Sequence, residues 1–269
     1  MMIKVDYAGK HVFVAGGTSG INLALAEAFA SSGASVSVVS RDGERVQRAV
    51  ERLRALGAKA AGAAVDVRDP VTLTETVGGF SAQLGLIDVV VSGAAGNFLC
   101  PAERLSPNGF RTVVDIDLNG SFNVMHAAFE HLRKPGASLI HITAPQSSVP
   151  MRYQVHCAAA KAGVDQMTRV LALEWGPLGI RVNAISPGPI DETEGFARLI
   201  APDEKTRSRA QGHVPLRRFG RTEDIANLAL FLGSDHAGYV SGAVIPCDGG
   251  GALESVKPAI EAAGSKGNQ

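Results

Sequence analysis

The chain has 269 residues, 45% of them hydrophobic, and its 26 lysines and arginines balance its 26 aspartates and glutamates. This length and apolar content suffice for a self-sufficient core, and the neutral charge argues against nucleic acid or an anionic membrane as the main partner. The cysteines Cys100, Cys157 and Cys247 are odd in number and widely spaced, and no apolar run reaches the length of a signal peptide or membrane span, so we expect a soluble, cytoplasmic protein without disulfide framework or metal site.

Short β-branched runs alternate with segments of helical periodicity. The predicted strands are His11–Ala15, Ser35–Val39, Ala61–Val65, Ile87–Val91, Ser138–Ile142, Ile180–Ile185 and Ala243–Ile245. The predicted helices are Ile21–Ser31, Arg45–Leu56, Gly109–Leu132, Val155–Trp175 and Thr222–Leu232. Apolar strands alternating with helices predict an α/β fold: a single-domain, Rossmann-like, doubly wound parallel sheet of about seven strands with helices on both faces. We expect this domain to span residues 1–253 and residues 254–269 to form a flexible C-terminal tail.

A glycine-rich turn follows the first predicted strand and opens a helix. In the stretch 16–20 the glycines permit a tight turn and leave backbone amides facing a pyrophosphate. The turn therefore predicts a dinucleotide site that includes Gly16, Thr18, Ser19, Gly20 and Ile21. Asn22 replaces the usual third glycine, so we expect the turn to be slightly rearranged at that point.

Polar residues at the ends of the second and third strands bear on the choice of coenzyme. At Arg41 an acidic residue would bind an adenosine ribose, whereas an arginine would pair with a 2′-phosphate. The sequence therefore favours NADP(H) over NAD(H), with a solvated arginine at a helix start as the alternative. Asp66 and Val67 end the third strand, where an adenine edge would lie.

Motifs along nearly the whole chain resemble those of the short-chain dehydrogenase/reductase family. They are Gly16–Gly20, Asp66-Val67, Ala94-Ala95-Gly96, Lys161, Pro187-Gly188-Pro189-Ile190 with Thr193, and Asp248-Gly249-Gly250. Within that family the chain is most similar to the 2,4-dienoyl-CoA reductases, particularly the peroxisomal kind, in residues 94–101, 115–117, 122–124 and 187–190. The resemblance implies NADPH-dependent reduction of a conjugated acyl-CoA, with hydride added at the far end of the diene and a proton at the carbon beside the thioester. It also implies further coenzyme contacts from Ala94, Ala95, Gly96, Lys161, Pro187, Gly188, Ile190 and Thr193.

The chain departs from the family's usual catalytic set. Ala144 stands at the serine position, Cys157 at the tyrosine position and Asp117 at the asparagine position, so only Lys161 of that set is retained. The family's asparagine-rich turn is replaced by the stretch 92–96, as it broadly is among the dienoyl-CoA reductases. Because the resemblance implies that the peroxisomal relatives also lack the serine and tyrosine, their loss does not imply loss of activity.

Reduction of a conjugated thioester can proceed without a phenol. A ketone needs a proton on oxygen as hydride arrives, whereas a conjugated thioester spreads charge over its oxygen and remote carbons until a carbon is protonated, for example by water. We therefore assign Lys161 to the nicotinamide ribose and the developing anion, and Asp117 to orientation of a water. The alternatives are a solvated helix lysine and a carboxylate in a salt bridge.

Five further residues are candidates for the lining of the substrate cleft: Asn97, Phe98, Thr143, His156 and Cys157. A thiol beside an ammonium would lose its proton more readily, but a small buried cysteine is more often filler. His156 is a second candidate donor to a thioester oxygen, with a place in the core or on the surface as its alternative. Asn97 and Thr143 are polar liners of the cleft, or loop and capping residues.

The stretch 190–221 lies where the family places a mobile lid over the substrate. Its basic residues would hold the phosphates of coenzyme A or form a solvated face; they are Arg198, Lys205, Arg207, Arg209, Arg217, Arg218 and Arg221. The predicted helices Gly109–Leu132 and Val155–Trp175 are apolar on more than one face, which is consistent with a homotetramer or homodimer.

Two other functions stay open at this point. One is a carbonyl or 3-oxoacyl reductase that uses Cys157, His156 or water as its acid. The other is a catalytically silent NADP-binding protein.

Overall fold

The computed structural model describes residues 5–191, 193 and 204–254. For residues 204–206 and 254 it describes the backbone but not the side chains. The predicted tail beyond residue 254, Arg198 and the side chain of Lys205 therefore lie outside the described part of the chain. No helix in the described part is both long enough and apolar enough to cross a membrane.

Seven strands form one sheet in the order β3-β2-β1-β4-β5-β6-β7, and every neighbouring pair is parallel. They are β1 His11–Ala15, β2 Ser35–Ser40, β3 Ala60–Ala64, β4 Val89–Ser92, β5 Ser138–Ile142, β6 Arg181–Pro187 and β7 Val244–Cys247. The predicted doubly wound α/β fold is confirmed, and each predicted strand boundary lies within two residues of the observed one.

Helices cover both faces of the sheet. They are α1 Gly20–Ser31, α2 Gly43–Ala55, α3 Pro70–Leu84, α4 Pro107–Val114, α5 Gly120–Phe129, α6 Val155–Trp175, α7 Glu204–Gly212, α8 Thr222–Gly233 and α9 Gly251–Glu254. Because side chains alternate along a strand, Val12 and Val14 of β1 enter the core beneath α1 and α8, while Phe13 and Ala15 enter the core beneath α3, α5 and α6. The edge strand β3 is partly exposed, so burial on both faces holds for the central strands only.

The predicted helix Gly109–Leu132 is wrong as a continuous α-helix. Between α4 and α5 the residues Asp115–Asn119 form a π-helical turn, which holds one more residue than an α-helical turn. The apolar periodicity of the segment does not reveal this interruption, because a single surplus residue hardly disturbs a pattern with several buried faces. The turn matters for the site because Asp117 lies within it.

The helix α3 was not predicted from the sequence. Its start carries a clear signal, since the side chain of Asp69 accepts a hydrogen bond from the Thr72 amide and Pro70 occupies the first turn. The interior is less typical of a helix, because Gly78 and Gly79 interrupt it and threonines weaken its propensity. Packing of its apolar residues against the sheet and α5 outweighs these local preferences.

Candidate active site

A polar cleft of about 250 Å³ opens at the carboxyl ends of β1, β2, β3 and β4. The strand order reverses between β1 and β4, which is where open α/β sheets bind ligands. Eight of the predicted coenzyme residues line this cleft: Gly16, Thr18, Ser19, Arg41, Asp66, Val67, Ala94 and Ala95. The structure thus brings together groups from four strand ends that are far apart in the sequence.

The glycine turn has the shape that close backbone approach requires. Gly16 has a φ of +79°, and a Cβ built there would lie 2.9 Å from the Ala94 nitrogen. A Cβ built at Gly17 would lie 2.8 Å from a Val38 methyl. The residues present therefore fit a dinucleotide coenzyme, whose pyrophosphate needs exposed amides and no side chain in the way.

Cations flank the end of the cleft that follows β2. Arg41 is exposed there, and Arg45 joins it in the lining. Asp66 is held by the guanidinium of Arg68 through contacts of 2.6 to 3.1 Å. Those hydrogen bonds, helped by the charge of Arg41, lower the pKa of the Asp66 carboxyl. The arrangement places the guanidinium of Arg41 at the edge of the cleft, where the sequence analysis expects a 2′-phosphate.

The predicted catalytic pair comes together as a buried ion pair. The Nζ of Lys161 lies 3.3 Å from Oδ2 of Asp117, and the two side chains are 6% and 1% exposed. Lys161 also donates to the carbonyl oxygen of Ile142 at 3.1 Å. The Lys161 contact to Asp117 Oδ2 lacks hydrogen-bond geometry, so this oxygen has no hydrogen-bond partner among the described residues. It therefore keeps accepting capacity for a water.

Backbone contacts hold the carboxylate of Asp117 in place. The amide of Gly96, one of the predicted coenzyme residues, donates to Asp117 Oδ1 at 2.7 Å. The hydroxyl of Ser121 donates to the Asp117 carbonyl at 2.7 Å, one turn further along the helix. The stretch after β4 and the π-helical turn are therefore joined at this carboxylate.

Cys157 is buried at 3% exposure, close enough to Lys161 to feel its charge. Burial raises the pKa of the thiol to about 11, and this effect outweighs the lowering by the Lys161 ammonium. The ammonium thus acts in the expected direction, but burial has the larger effect on the pKa of the thiol. The site favours the role of filler for this side chain.

His156 is fully buried and tied to the chain after β4. Its Nε2 donates to the Phe98 carbonyl at 3.0 Å, and the two rings stack with centroids 4.5 Å apart. Neither His156 nor Phe98 nor Cys157 belongs to the lining of the substrate cavity described next. These contacts indicate that His156 anchors the loop rather than facing the substrate.

A second cavity of about 540 Å³ adjoins the coenzyme cleft, and its lining is mainly apolar. The lining includes the predicted residues Asn97, Thr143, Pro187, Gly188 and Ile21, and also Ala144, Leu99, Met151 and Val214. Two glutamines that the sequence analysis missed line it as well. Gln154 accepts from the amides of Asn97 at 2.7 Å and of Gln146 at 3.0 Å. The position of Gln154 immediately before α6, three residues ahead of Cys157, is the signal that could have identified it.

The remaining predicted coenzyme residues follow β6. Ile190 is buried, and its carbonyl accepts from the Thr193 hydroxyl at 3.0 Å. The Thr193 methyl lies 3.9 Å from a Cβ built at Gly20. These residues thus close over the start of α1.

Several lid arginines are engaged with other parts of the protein. Arg207 pairs with Asp191, and Arg218 contacts both carboxylate oxygens of Asp224 at 2.7 and 3.0 Å. The guanidinium of Arg217 donates to the Gly212 carbonyl. These three arginines therefore stabilise the lid itself, which leaves them poorly placed for phosphates of coenzyme A. Within residues 5–191, 193 and 204–254, no group of three or more metal-ligating side chains comes together.

Comparisons with known proteins agree with this geometry. The family model described as Enoyl-(Acyl carrier protein) reductase matches residues 15–251. A peroxisomal 2,4-dienoyl-CoA reductase [(3E)-enoyl-CoA-producing] of Arabidopsis thaliana is 42% identical over 90% of this chain and 84% of its own length. A probable 2,4-dienoyl-CoA reductase [(2E)-enoyl-CoA-producing] of Bacillus subtilis (strain 168) is 40% identical over 90% of this chain and 96% of its own. The crystal structure of a putative short-chain alcohol dehydrogenase from Sinorhizobium meliloti 1021 has a TM-score of 0.88 and 32% identity, over 93% of this chain and 99% of that one.

Proposed function

The chain belongs to the short-chain dehydrogenase/reductase family, and from this premise we propose that it reduces conjugated 2,4-dienoyl-CoA thioesters with NADPH. It is an oxidoreductase, and its similarity to the 2,4-dienoyl-CoA reductases favours an acyl-CoA substrate. The single observation that carries the proposal is the composition of the site. A buried Lys161–Asp117 pair is present, while Ala144 and Cys157 occupy the positions of the hydroxyl acids.

This site composition suits a reduction that ends with a proton on carbon better than one that ends with a proton on an alkoxide oxygen. Reduction of a ketone requires a donor at the carbonyl oxygen, and Ala144 has none. The Cys157 thiol is a weak hydrogen-bond donor, and its pKa of about 11 shows how strongly burial disfavours its charged form. A conjugated thioester needs stabilisation of a delocalised negative charge and then a proton on carbon. The carbonyl-reductase alternative is correspondingly weakened.

Lys161 and Asp117 have separate roles in the proposed reaction. When bound, NADPH supplies a hydride to the far end of the conjugated system. Lys161 holds the nicotinamide ribose and stabilises the developing anion with its ammonium group. Asp117 Oδ2 accepts from a water and orients it, and that water donates a proton to the carbon beside the thioester. The hydroxide left behind is stabilised by the Lys161 ammonium, 3.3 Å from the same carboxylate oxygen, and takes a proton from solvent. The remaining double bond then lies between its two former positions, so we expect a (3E)-enoyl thioester.

The apolar cavity supports an acyl substrate. Its volume of about 540 Å³ and its mainly apolar lining suit a chain of carbons.

Two further proposals concern the cellular compartment and the oligomeric state of the protein. We propose a reducing, cytoplasmic setting, because the three cysteines are free. We propose a homotetramer or homodimer, because large apolar side chains are exposed on α4, α5 and α6, namely Phe110, Phe122, Val155, Val170 and Leu173. Light scattering on the purified protein tests the second proposal.

The activity is tested by mixing the purified protein with NADPH and a panel of thioesters and ketones while following the absorbance of the reduced nicotinamide. We expect turnover of 2,4-dienoyl-CoA and identification of the (3E)-enoyl product by mass spectrometry and NMR. Turnover of 3-oxoacyl-CoA or ketones alone would replace this proposal with the carbonyl reductase. Binding of NADPH without turnover of any compound would indicate a silent coenzyme-binding protein.

Coenzyme preference is tested at Arg41. The wild type is expected to favour NADPH over NADH, and Arg41→Ala to lose about tenfold or more of that preference, since one charge-assisted phosphate contact is removed. Unchanged preference in this variant would assign the 2′-phosphate to Arg45 or to another group.

A further inference from the structure

Asn22 makes a contact that a glycine at the same position could not make. It is the third residue of α1, where dinucleotide-binding turns usually place a glycine so that helix and strand pack closely. The Nδ2 of Asn22 donates to the carbonyl oxygen of Gly93 at 2.7 Å. The side chain therefore bridges the turn after β1 and the turn after β4, both of which line the coenzyme cleft.

Gly93 is shaped to receive this side chain. A Cβ built at Gly93 would lie 2.1 Å from Asn22 Oδ1 and 2.5 Å from both its Cγ and its Nδ2. These are the three nearest atoms, and all belong to Asn22. The φ of Gly93 does not lie in the left-handed region, so the backbone conformation does not itself require glycine. Asn22 is therefore the reason that residue 93 carries no side chain.

The phosphate turn takes part in the same contact. A Cβ built at Gly16 would lie 2.9 Å from the Ala94 nitrogen and 3.3 Å from Asn22 Nδ2. Gly16, Asn22 and Gly93 thus meet at one point between the two turns. A change at any of the three alters the distance between the amides that face the coenzyme.

The turn held by Asn22 also reaches the catalytic pair. Three residues after Gly93, the amide of Gly96 donates to Asp117 Oδ1 at 2.7 Å. Asp117 Oδ2 in turn lies 3.3 Å from Lys161 Nζ. The short segment 93–96 therefore has one end fixed by Asn22 and the other end fixed to the carboxylate.

We propose that Asn22 and Gly93 form an interlock that positions the turn 92–96 for both coenzyme binding and proton transfer. Asn22 and Gly93 are positioning residues: they act on the pyrophosphate side of the coenzyme through Gly16 and Ala94, and on the reaction through Gly96 and Asp117. This inference rests on the proposed function for its coenzyme, a dinucleotide bound in the cleft. It assigns to Asn22 the role of a structural tie in place of the helix–strand packing that a third glycine provides.

The interlock is tested with Gly93→Ala, Asn22→Gly and the double variant, by measuring the NADPH dissociation constant calorimetrically and the melting temperature. We expect Gly93→Ala to weaken NADPH binding at least tenfold, because the new methyl group displaces the Asn22 amide. We expect Asn22→Gly to weaken it about fivefold to tenfold through loss of one buried hydrogen bond. The double variant should bind NADPH no more weakly than Asn22→Gly, since the methyl group then has no side chain to meet.

Controls separate the interlock from a general loss of helix stability. Asn227→Gly places the same substitution in α8, at an exposed position away from both cavities, and should lower the melting temperature without changing NADPH affinity. Asn22→Asp keeps the shape but loses the donor to Gly93 and adds a charge that repels pyrophosphate, so NADPH should bind more weakly still. If Gly93→Ala does not fold, recovery of folding in the double variant supports the interlock.

The result that overturns the interlock is additive loss in the double variant, or unchanged affinity in both single variants. With dienoyl-CoA as substrate, the kcat of Asn22→Gly at saturating NADPH should also fall, because Gly96 no longer holds Asp117 firmly. An unchanged kcat would confine the interlock to coenzyme binding and contradict its second part. A wild type that binds NADPH in the expected pattern but reduces no thioester would overturn the proposed function and leave the interlock standing.

Discussion

Two buried polar clusters lie at opposite ends of the same sheet and are built differently. The amino-end cluster comprises the buried residues His11, Ser37 and Asp88 together with Arg133, whose side chain is 46% exposed. The carboxyl-end cluster comprises Asp117, His141, Thr143, Lys161 and Thr168. Both place ionisable groups beside strands that are otherwise apolar.

The buried side chains of the amino-end cluster all have hydrogen-bond partners. The ring nitrogens of His11 bond to the Gly85 carbonyl and the Ser37 hydroxyl, each at 2.8 Å. Asp88 accepts from Arg133 at 2.5 Å and from the His11 amide at 2.9 Å. Such a network stabilises one conformation and leaves no group available for chemistry.

The carboxyl-end cluster keeps unused capacity. Three of its buried atoms have no hydrogen-bond partner among the described residues: Asp117 Oδ2, His141 Nε2 and Thr143 Oγ1. Unpaired buried polar groups cost free energy, and a bound water or ligand that pairs with them would offset this cost. Both clusters contain buried, ionisable groups. They differ in that only the carboxyl-end cluster, the catalytic candidate, has buried polar atoms without hydrogen-bond partners among the described residues.

The largest expected effect is on turnover at the carboxyl end. Asp117→Asn should lower kcat about 10²-fold to 10⁴-fold, because the amide oxygen is a poorer partner for the proton-donating water, and Lys161→Ala should lower it at least as far. Both variants should retain their fold. Stopped-flow measurement of NADPH oxidation at saturating dienoyl-CoA gives the rates, and normal turnover in Asp117→Asn would remove the proton relay from the mechanism.

The second effect is on stability at the amino end. Asp88→Asn should lower the free energy of unfolding by about 2–3 kcal/mol, since the Arg133 guanidinium and the His11 amide lose a charged acceptor. Its kcat at 25 °C should equal that of the wild type. Urea unfolding followed by circular dichroism gives the free energy. A large loss of turnover without loss of stability would assign a functional rather than a structural role to the amino-end cluster.

The third effect is a pH dependence that the carboxyl-end cluster introduces. Burial, helped by the Lys161 charge, lowers the pKa of His141 from 6.5 to about 3. Between these values the unfolded chain binds the proton and the folded chain does not, so the free energy of unfolding falls as pH falls below about 6.5, by at most about 1.4 kcal/mol per pH unit. Burial lowers the pKa of His11 too, which adds a slope of the same sign.

Substitution separates the two histidines. The loss of stability between pH 7 and pH 5 should be smaller in His141→Gln than in the wild type, as measured by urea unfolding at both values. Equal losses in the two proteins would show that His141 accepts no proton on unfolding and would contradict its neutral, buried state.

The smallest expected effect is at Cys157. Cys157→Ala should change kcat less than about twofold and stability by about 1 kcal/mol, because the thiol fills space and keeps its proton. Cys247→Ala serves as the control for a thiol outside both cavities. A tenfold or greater loss of turnover specific to Cys157→Ala would assign the proton to the thiol.

Local chemistry was enough to predict much of the fold and site. The β-branched runs and their spacing predict the seven strands, because each buried strand needs an apolar run of about its own length. Lys161 and Asp117 are also close together, since both lie on elements that meet at the carboxyl ends of the strands, although the ion pair itself matches the salt-bridge alternative for Asp117. The roles of these two residues stay predictions.

Features that depend on contacts between distant segments were not predictable. The contact of Asn22 with Gly93 joins residues 71 apart in the chain, and no sequence pattern near either residue indicates this contact. Gln146 of the second cavity lies in a short turn with no periodic pattern, whereas the position of Gln154 immediately before α6 was a usable signal. The net pKa shift of Cys157 could not be predicted, because the sequence reveals its charged neighbour but not the depth of its burial.

The π-helical turn at Asp115–Asn119 has a consequence for how the site is encoded. One surplus residue in a helix rotates everything beyond it by about 100° relative to everything before it. Deleting a single residue there would let α4 and α5 merge into one regular helix, with their faces turned relative to each other by that angle. The carboxylate of Asp117 would then face a different neighbour. The position of this candidate catalytic group therefore depends on the number of residues in the turn as well as on their types.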